Sequence, residues 1–158
     1  MVCGMKIMKN FIVIILISFT TILGQNIKKG EIVDFADYLR NFNYQERKDM
    51  KIDVEQLLAL LIEEKAELID IRFTEEVETW GVSFSKNIPL NELPNRLSEL
   101  DKNKIIVTVC PHMDRASIAR QYLTLNGFES KYLTIGLLGL VEYLRGDKAK
   151  DFVKKLKK

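Results

Sequence analysis

The chain has 158 residues, 47% of them hydrophobic and 29% charged, with 24 Lys and Arg against 22 Asp and Glu. That length holds one domain with a real core and is short for two, and the composition is that of an ordinary folded domain. A formal net charge of +2 gives no whole-chain signal for nucleic acid, and no nucleic-acid partner is expected.

The first 24 residues stand apart. Lys6 and Lys9 precede an apolar run from Phe11 to Leu23, and Gly24 follows. A basic start, an apolar stretch and a small terminal residue describe a signal peptide. The run is short of the roughly 20 apolar residues of a membrane span, so an uncleaved anchor is the alternative reading. Cleavage after Gly24 would remove Lys6 and Lys9 and no acid, leaving 22 basic and 22 acidic residues. It would also remove Cys3 and leave Cys110 as the remaining cysteine. A lone cysteine makes no internal disulfide and is either an inert core residue or a working thiol. The expected location is the periplasm or the medium, with no stable membrane insertion after processing.

Residues 25–52 are mixed in character, with a helical face at Ile32, Val33, Phe35, Ala36 and Leu39. From Asp53 the pattern becomes regular. Asp53 with Gln56 predicts a capping box opening a helix over 54–64. Residues 67–71 read as a strand, and Thr74, Glu75 and Glu76 start a brief helix toward Trp80, itself expected in the core. Residues 86–90 read as a short strand that Pro89 stops. Residues 104–109 are apolar on both faces apart from Thr108, as a central parallel strand is. A helix follows from Arg115 to Asn126, stopped by Gly127, then a strand over 130–135 and helices over 136–146 and 148–158. The last helix carries several lysines around Phe152, Val153 and Leu156, an amphipathic pattern with a solvated basic face; docking to an acidic partner or a membrane is the alternative. Strands alternating with helices predict an α/β fold, a mainly parallel central sheet with helices on both faces.

In such sheets ligands bind outside the carboxyl ends of the strands. Cys110 stands at that end of the most apolar strand, just before a helix. The N–H groups of the turn and of the first helical turn are expected to face the sulfur, favour its anion and lower its pKa. The guanidinium of Arg115 is expected to hold an oxyanion bound beside it. His112, the single histidine, is either a general acid–base or a solvated loop residue. No His, Cys or carboxylate cluster has metal-ligand spacing, and neither a metal nor another cofactor is implied.

Three stretches resemble the single-domain rhodaneses, which are sulfurtransferases: "LIDIR" (68–72) followed by Glu75 and Glu76, "NIPLNEL" (87–93), and the loop from Cys110 to Arg115. The resemblance covers residues 53–146 as a rhodanese-like domain. It leaves 1–24 as signal peptide, 25–52 as an N-terminal extension and 147–158 as a basic amphipathic helix. It implies that Cys110 takes up sulfane sulfur as a persulfide and passes it to a nucleophile. It implies a cradle of amides from residues 111–115, with Pro111, His112, Met113, Asp114 and Ala116 as the binding loop. Arg115 would close the loop and hold the anionic donor, and Asp70 and Arg72 would support it. Four residues separate Cys110 from Arg115; related phosphatases and arsenate reductases have one more, making a wider ring.

The chain departs from the family pattern at several points. Met113 stands where glycine is usual, "WGVSFSK" (80–86) replaces "GHIPGA", a double glycine is reduced to Gly136, and Leu140 stands where tryptophan is common. Met113 would be strained if the loop required a positive φ. Asp114 opposes anion binding and is expected to face solvent or pair with Arg115, which would favour polysulfide over thiosulfate as donor. The implied function is exported sulfur transfer from polysulfide or thiosulfate to a thiol, cyanide or a protein. Two alternatives stay open: a sulfur carrier without rapid turnover that serves a membrane reductase, and a catalytically inactive interaction module.

Overall fold

A computed structural model describes residues 30–157. The expected signal peptide, residues 1–24, lies outside the described residues, as do Cys3 and Lys158. Among the described residues, no helix is long and apolar enough to cross a membrane.

The strands are β1 (Lys51–Ile52), β2 (Ala66–Asp70), β3 (Lys86–Asn87), β4 (Ile105–Val109) and β5 (Ser130–Leu133). They form one parallel sheet in the order β1-β5-β4-β2-β3. The apolar run "IIVTV" is its centre, and Ile106, Val107, Thr108 and Val109 are all buried. The expected strand at 86–90 shortens to two residues: the Ile88 N–H still donates to the carbonyl of Asp70 at the end of β2 and that of Leu90 to Ile71 just beyond, but Pro89 has no N–H to give and leads into a turn.

The helices are α1 (Phe35–Arg40), α2 (Tyr44–Asp49), α3 (Val54–Ile62), α4 (Thr74–Thr79), α5 (Asp114–Leu125), α6 (Gly136–Tyr143) and α7 (Asp147–Leu156). Residues Leu93–Asn95 and Leu97–Glu99 form single 3-10 turns. The Asp53 carboxylate accepts from the Gln56 N–H at 2.8 Å and starts α3.

Period-two alternation along β2 and β4 supplies both faces of the sheet. Leu68, Val107 and Val109 join the core formed with α3, α6 and α7. Ile69, Ile71, Ile106 and Cys110 join the core formed with α5. Phe152 brings α7 into the first of these, its ring 4.9 Å from that of Phe84.

The chain leaves β2 toward one edge of the sheet and leaves β4 toward the other. Their carboxyl ends are side by side, with Asp70 in register with Val109. The loops that follow therefore diverge and leave a crevice, the usual place for a ligand in a parallel sheet.

The segment before Asp53 packs on this frame. Arg120 on α5, 3% exposed, donates to the Ser130 carbonyl, to the Tyr38 hydroxyl at 2.8 Å and to Glu46 Oε1 at 2.6 Å. Tyr38 donates its own proton to the same Glu46 oxygen at 2.8 Å. One buried guanidinium thus holds α1 and α2. Removing a partner from such a group leaves a charge without compensation. Glu46→Ala is expected to cost about 2–3 kcal/mol, and Glu46→Gln less, because the amide oxygen still accepts. Urea unfolding of the two variants beside the wild type checks this.

Candidate functional site: the loop after β4

Cys110 directly follows β4, and its backbone carbonyl and that of Pro111 face the start of α6. They accept from the Leu137 and Leu138 N–H groups at 2.9 and 3.3 Å, so the first turn of α6 binds the outside of the loop. Gly136 makes that approach feasible. Its φ is +60°, and a Cβ there would lie 2.0 Å from the His112 oxygen and 2.5 Å from that of Pro111. Beneath the loop, the Thr108 hydroxyl donates to the Ala116 carbonyl at 2.8 Å and ties α5 to the central strand.

Inside the loop the Cys110 thiol is fully enclosed. The N–H groups of His112 and Ala116 bear on the sulfur and favour its anion. The expected lowering of the thiol pKa does not follow. Burial pushes it up, and the neighbouring Asp114 carboxylate adds to that, outweighing the amides. The resting group is a neutral thiol.

Asp114 is exposed, as one of the two expectations has it, and its side chain does not pair with the Arg115 guanidinium, which Glu76 occupies. Its Oδ1 accepts from the Cys110 Sγ at 3.4 Å. The backbone N–H groups of Arg115 and of Asp114 itself bear on the carboxylate and lower its pKa. The expected amide cradle is therefore shared: His112 and Ala116 serve the sulfur, and Asp114 and Arg115 serve the side chain of Asp114. Pro111 has no N–H to contribute.

Arg115 does not reach into the loop to hold an anion. Its Nη1 and Nη2 donate to Glu76 Oε2 and Oε1 at 2.6 and 2.9 Å. Glu76 Oε2 also accepts from the Phe73 N–H at 3.2 Å, which fixes the carboxylate at the start of α4. The Arg115 hydrogen bonds hold the Glu76 carboxyl down at about 2, and Glu76 in turn holds Arg115 more firmly protonated. This pair ties α4, which follows β2, to the start of α5, which follows β4. The motif that supplied Glu75 and Glu76 pointed to this residue, but neither composition nor spacing indicated its partner.

Asp70 and Arg72 make a second, fully buried pair at the end of β2. Arg72 Nη2 donates to Asp70 Oδ2 at 2.6 Å and to the Trp80 carbonyl at 2.9 Å. The Trp80 ring covers the guanidinium at 4.0 Å and is 37% exposed, so it roofs an ion pair and is not a core residue. Asn87 Nδ2 donates to the carbonyls of Asp70 and Arg72 and joins β3 to the same corner. The pair bears on the loop through Glu76, whose carboxylate feels the Arg72 charge.

Met113 adopts φ −146° and its side chain is half exposed, so replacing glycine here brings no backbone strain. His112 is exposed, while Ala116 is buried against α5's own core. Among the described residues, no group of three His, Cys, Asp or Glu could hold a metal ion.

The rhodanese-like domain model matches residues 53–142. Over 68 residues the chain is 35% identical to the uncharacterized protein YqhL of Bacillus subtilis, covering 43% of this chain and 54% of that one. The chain thus spans about half the length of that relative. Among solved structures, a rhodanese-related protein from Thermoplasma volcanium superposes with a TM-score of 0.54 at 22% identity, covering 59% of this chain and 91% of that one. A rhodanese-like domain protein from Staphylococcus aureus gives 0.52 at 27% identity, covering 57% and 89%.

The contact at Gly136 yields a test of the loop's geometry. Gly136→Ala adds a Cβ where the loop backbone already lies and forces an unfavourable φ, which alone costs about 1–2 kcal/mol. Expected are a lower melting temperature and faster reaction of Cys110 with a neutral alkylating reagent, as the displaced loop uncovers the sulfur. Calorimetry and peptide mass spectrometry read the two effects.

Proposed function

Since this chain belongs to the rhodanese-like domain family, we propose that it is a sulfurtransferase carrying sulfane sulfur on Cys110 as a persulfide. The observation behind this reading is the loop itself. A single thiol stands at the carboxyl end of the central strand, amides bear on its sulfur, and Arg115, with four residues between it and Cys110, ends the loop paired to Glu76. A persulfide anion placed beside Cys110 would meet the N–H groups of His112 and Ala116. The ring is one residue shorter than that of the related phosphatases, which favours a sulfur atom over a tetrahedral oxyanion.

The donor on this reading is polysulfide or thiosulfate, and the acceptor a thiol, cyanide or a protein nucleophile. Full enclosure of the thiol and its raised pKa favour a second reading beside the first. A protected, neutral thiol suits a carrier that loads sulfur and holds it for a partner such as a membrane reductase. Multiple turnover with a small acceptor separates the enzyme from the carrier. An inactive interaction module would load no sulfur.

After exposure to polysulfide, the wild type is expected to gain the mass of one sulfur atom on the Cys110 peptide. Cys110→Ser is expected to gain none and to lose all transfer, because a serine hydroxyl is not ionised at neutral pH and forms no persulfide. Retained transfer in that variant would place the chemistry elsewhere.

We further propose, on the sequence of residues 1–24 alone, that the chain is exported and processed near Gly24, reaching the periplasm or the medium. Protein isolated from its native host is then expected to begin near Gln25. An intact Met1 on protein from the cytoplasm would exclude processing.

A further inference from the structure

The loop already holds an anion, and the chain supplies it. The backbone N–H groups of Arg115 and Asp114, at the start of α5, favour the ionised Asp114 carboxylate. Its Oδ1 lies 3.4 Å from the Cys110 sulfur, which has no exposed surface. The cation that could balance an incoming oxyanion, Arg115, is bound through both terminal nitrogens to Glu76. Arg72, the guanidinium at the end of β2, is bound by Asp70 beneath Trp80. Both guanidinium groups thus have an acidic partner from the chain itself.

We propose that Asp114 is the residue that selects the sulfur donor: a resident carboxylate that refuses donors with a compact oxyanion head and admits sulfane donors without one. Thiosulfate is of the first kind, since its sulfonate would have to displace the carboxylate from the α5 amides. Polysulfides are of the second, because the charge at the far end of the chain can stay away from the loop, and so are organic persulfides in their neutral form RSSH. This inference rests on the sulfur-transfer reading above.

The contact at 3.4 Å also accounts for the proton. With a neutral organic persulfide RSSH, the Cys110 sulfur bonds to the outer sulfane sulfur and the RS–S bond breaks. The departing RS⁻ takes the electron pair of that bond. The thiol proton passes to the Asp114 carboxylate and from it to the departing thiolate, giving Cys110–S–SH and RSH. Atoms and charge balance with no further reactant. The groups facing this transfer are Asp114, the His112 and Ala116 amides, and Arg115 in its pair with Glu76.

Two alkylating reagents of similar size test the anion exclusion without sulfur chemistry. Iodoacetamide is neutral and iodoacetate is an anion. The full-length chain is treated with each, and labelling is read on the Cys110 peptide, so that Cys3 does not contribute. The wild type is expected to favour the neutral reagent, and Asp114→Asn, nearly the same shape without the charge, to lower that preference by about tenfold. Asp114→Glu is expected to keep much of the preference, and Asp114→Ser, which retains a capping hydroxyl, covers the case of an unstable Asn variant. In steady-state assays the Asn variant is expected to gain more in kcat/KM for thiosulfate than for polysulfide, by up to about tenfold. An Asn and a Ser variant that both keep the wild-type reagent ratio would overturn the proposal, as would equal changes for the two donors. A Cys110 that accepts sulfur from neither donor would instead remove the sulfur-transfer reading, and the reagent ratio would still decide whether Asp114 repels anions.

Discussion

The peptide planes of one loop must face two ways at once. To present N–H groups to the Cys110 sulfur, the chain between β4 and α5 turns its carbonyls outward, and outward carbonyls need donors. The first turn of α6 supplies them through Leu137 and Leu138, at a separation that only a residue without a Cβ permits at position 136. The inward and outward hydrogen bonds are therefore one arrangement. α6 packs against the core through Leu137 and Leu140, so the loop's shape is set by the same contacts that hold the sheet together.

Around that loop the charges cancel in pairs. Asp70 answers Arg72, Glu76 answers Arg115, and the α5 amides answer Asp114. A cradle of this type is commonly pictured as a positive well awaiting an anion. Here the thiol sits in a nearly neutral enclosure with one carboxylate turned toward it. Whatever reaches Cys110 does so with little electrostatic help, and the neutral thiol follows from the same balance.

From Asp53 onward the alternation of strands and helices and the position of the cysteine were legible in the sequence because they rest on local signals, whereas the two-residue edge strand β1 carries none. β4 is an unbroken apolar run, Asp53 is a helix cap, and Gly127 is a stop. What pairs with what was less legible. Glu76 and Arg115 are 39 positions apart, and Arg120 reaches Glu46 across 74; neither spacing carries a signal until the fold brings them together. Arg120 reads as an ordinary polar residue on a helix, and its burial depends on Tyr38 and Glu46 from a segment whose pattern gives little hint of docking. Trp80 was read as core from its type, whereas the buried guanidinium of Arg72 needed a roof. Asp114 is exposed, one of the two placements its position suggests, but Glu76 takes the Arg115 guanidinium, and the contact of the carboxylate with the Cys110 sulfur carries no signal in the sequence.

The docking of residues 30–52 changes what counts as the folding unit. The stretch shared with the family begins at Asp53, and a fragment cut there would look complete in an alignment. It would lack β1, leaving the ladder edge of β5 open along Tyr132 and Leu133 to pair with another chain. It would also leave the Arg120 guanidinium under the surface without its carboxylate. Such a fragment combines an adhesive strand edge with an uncompensated interior charge, and material prepared from it would be prone to aggregate before its chemistry could be measured.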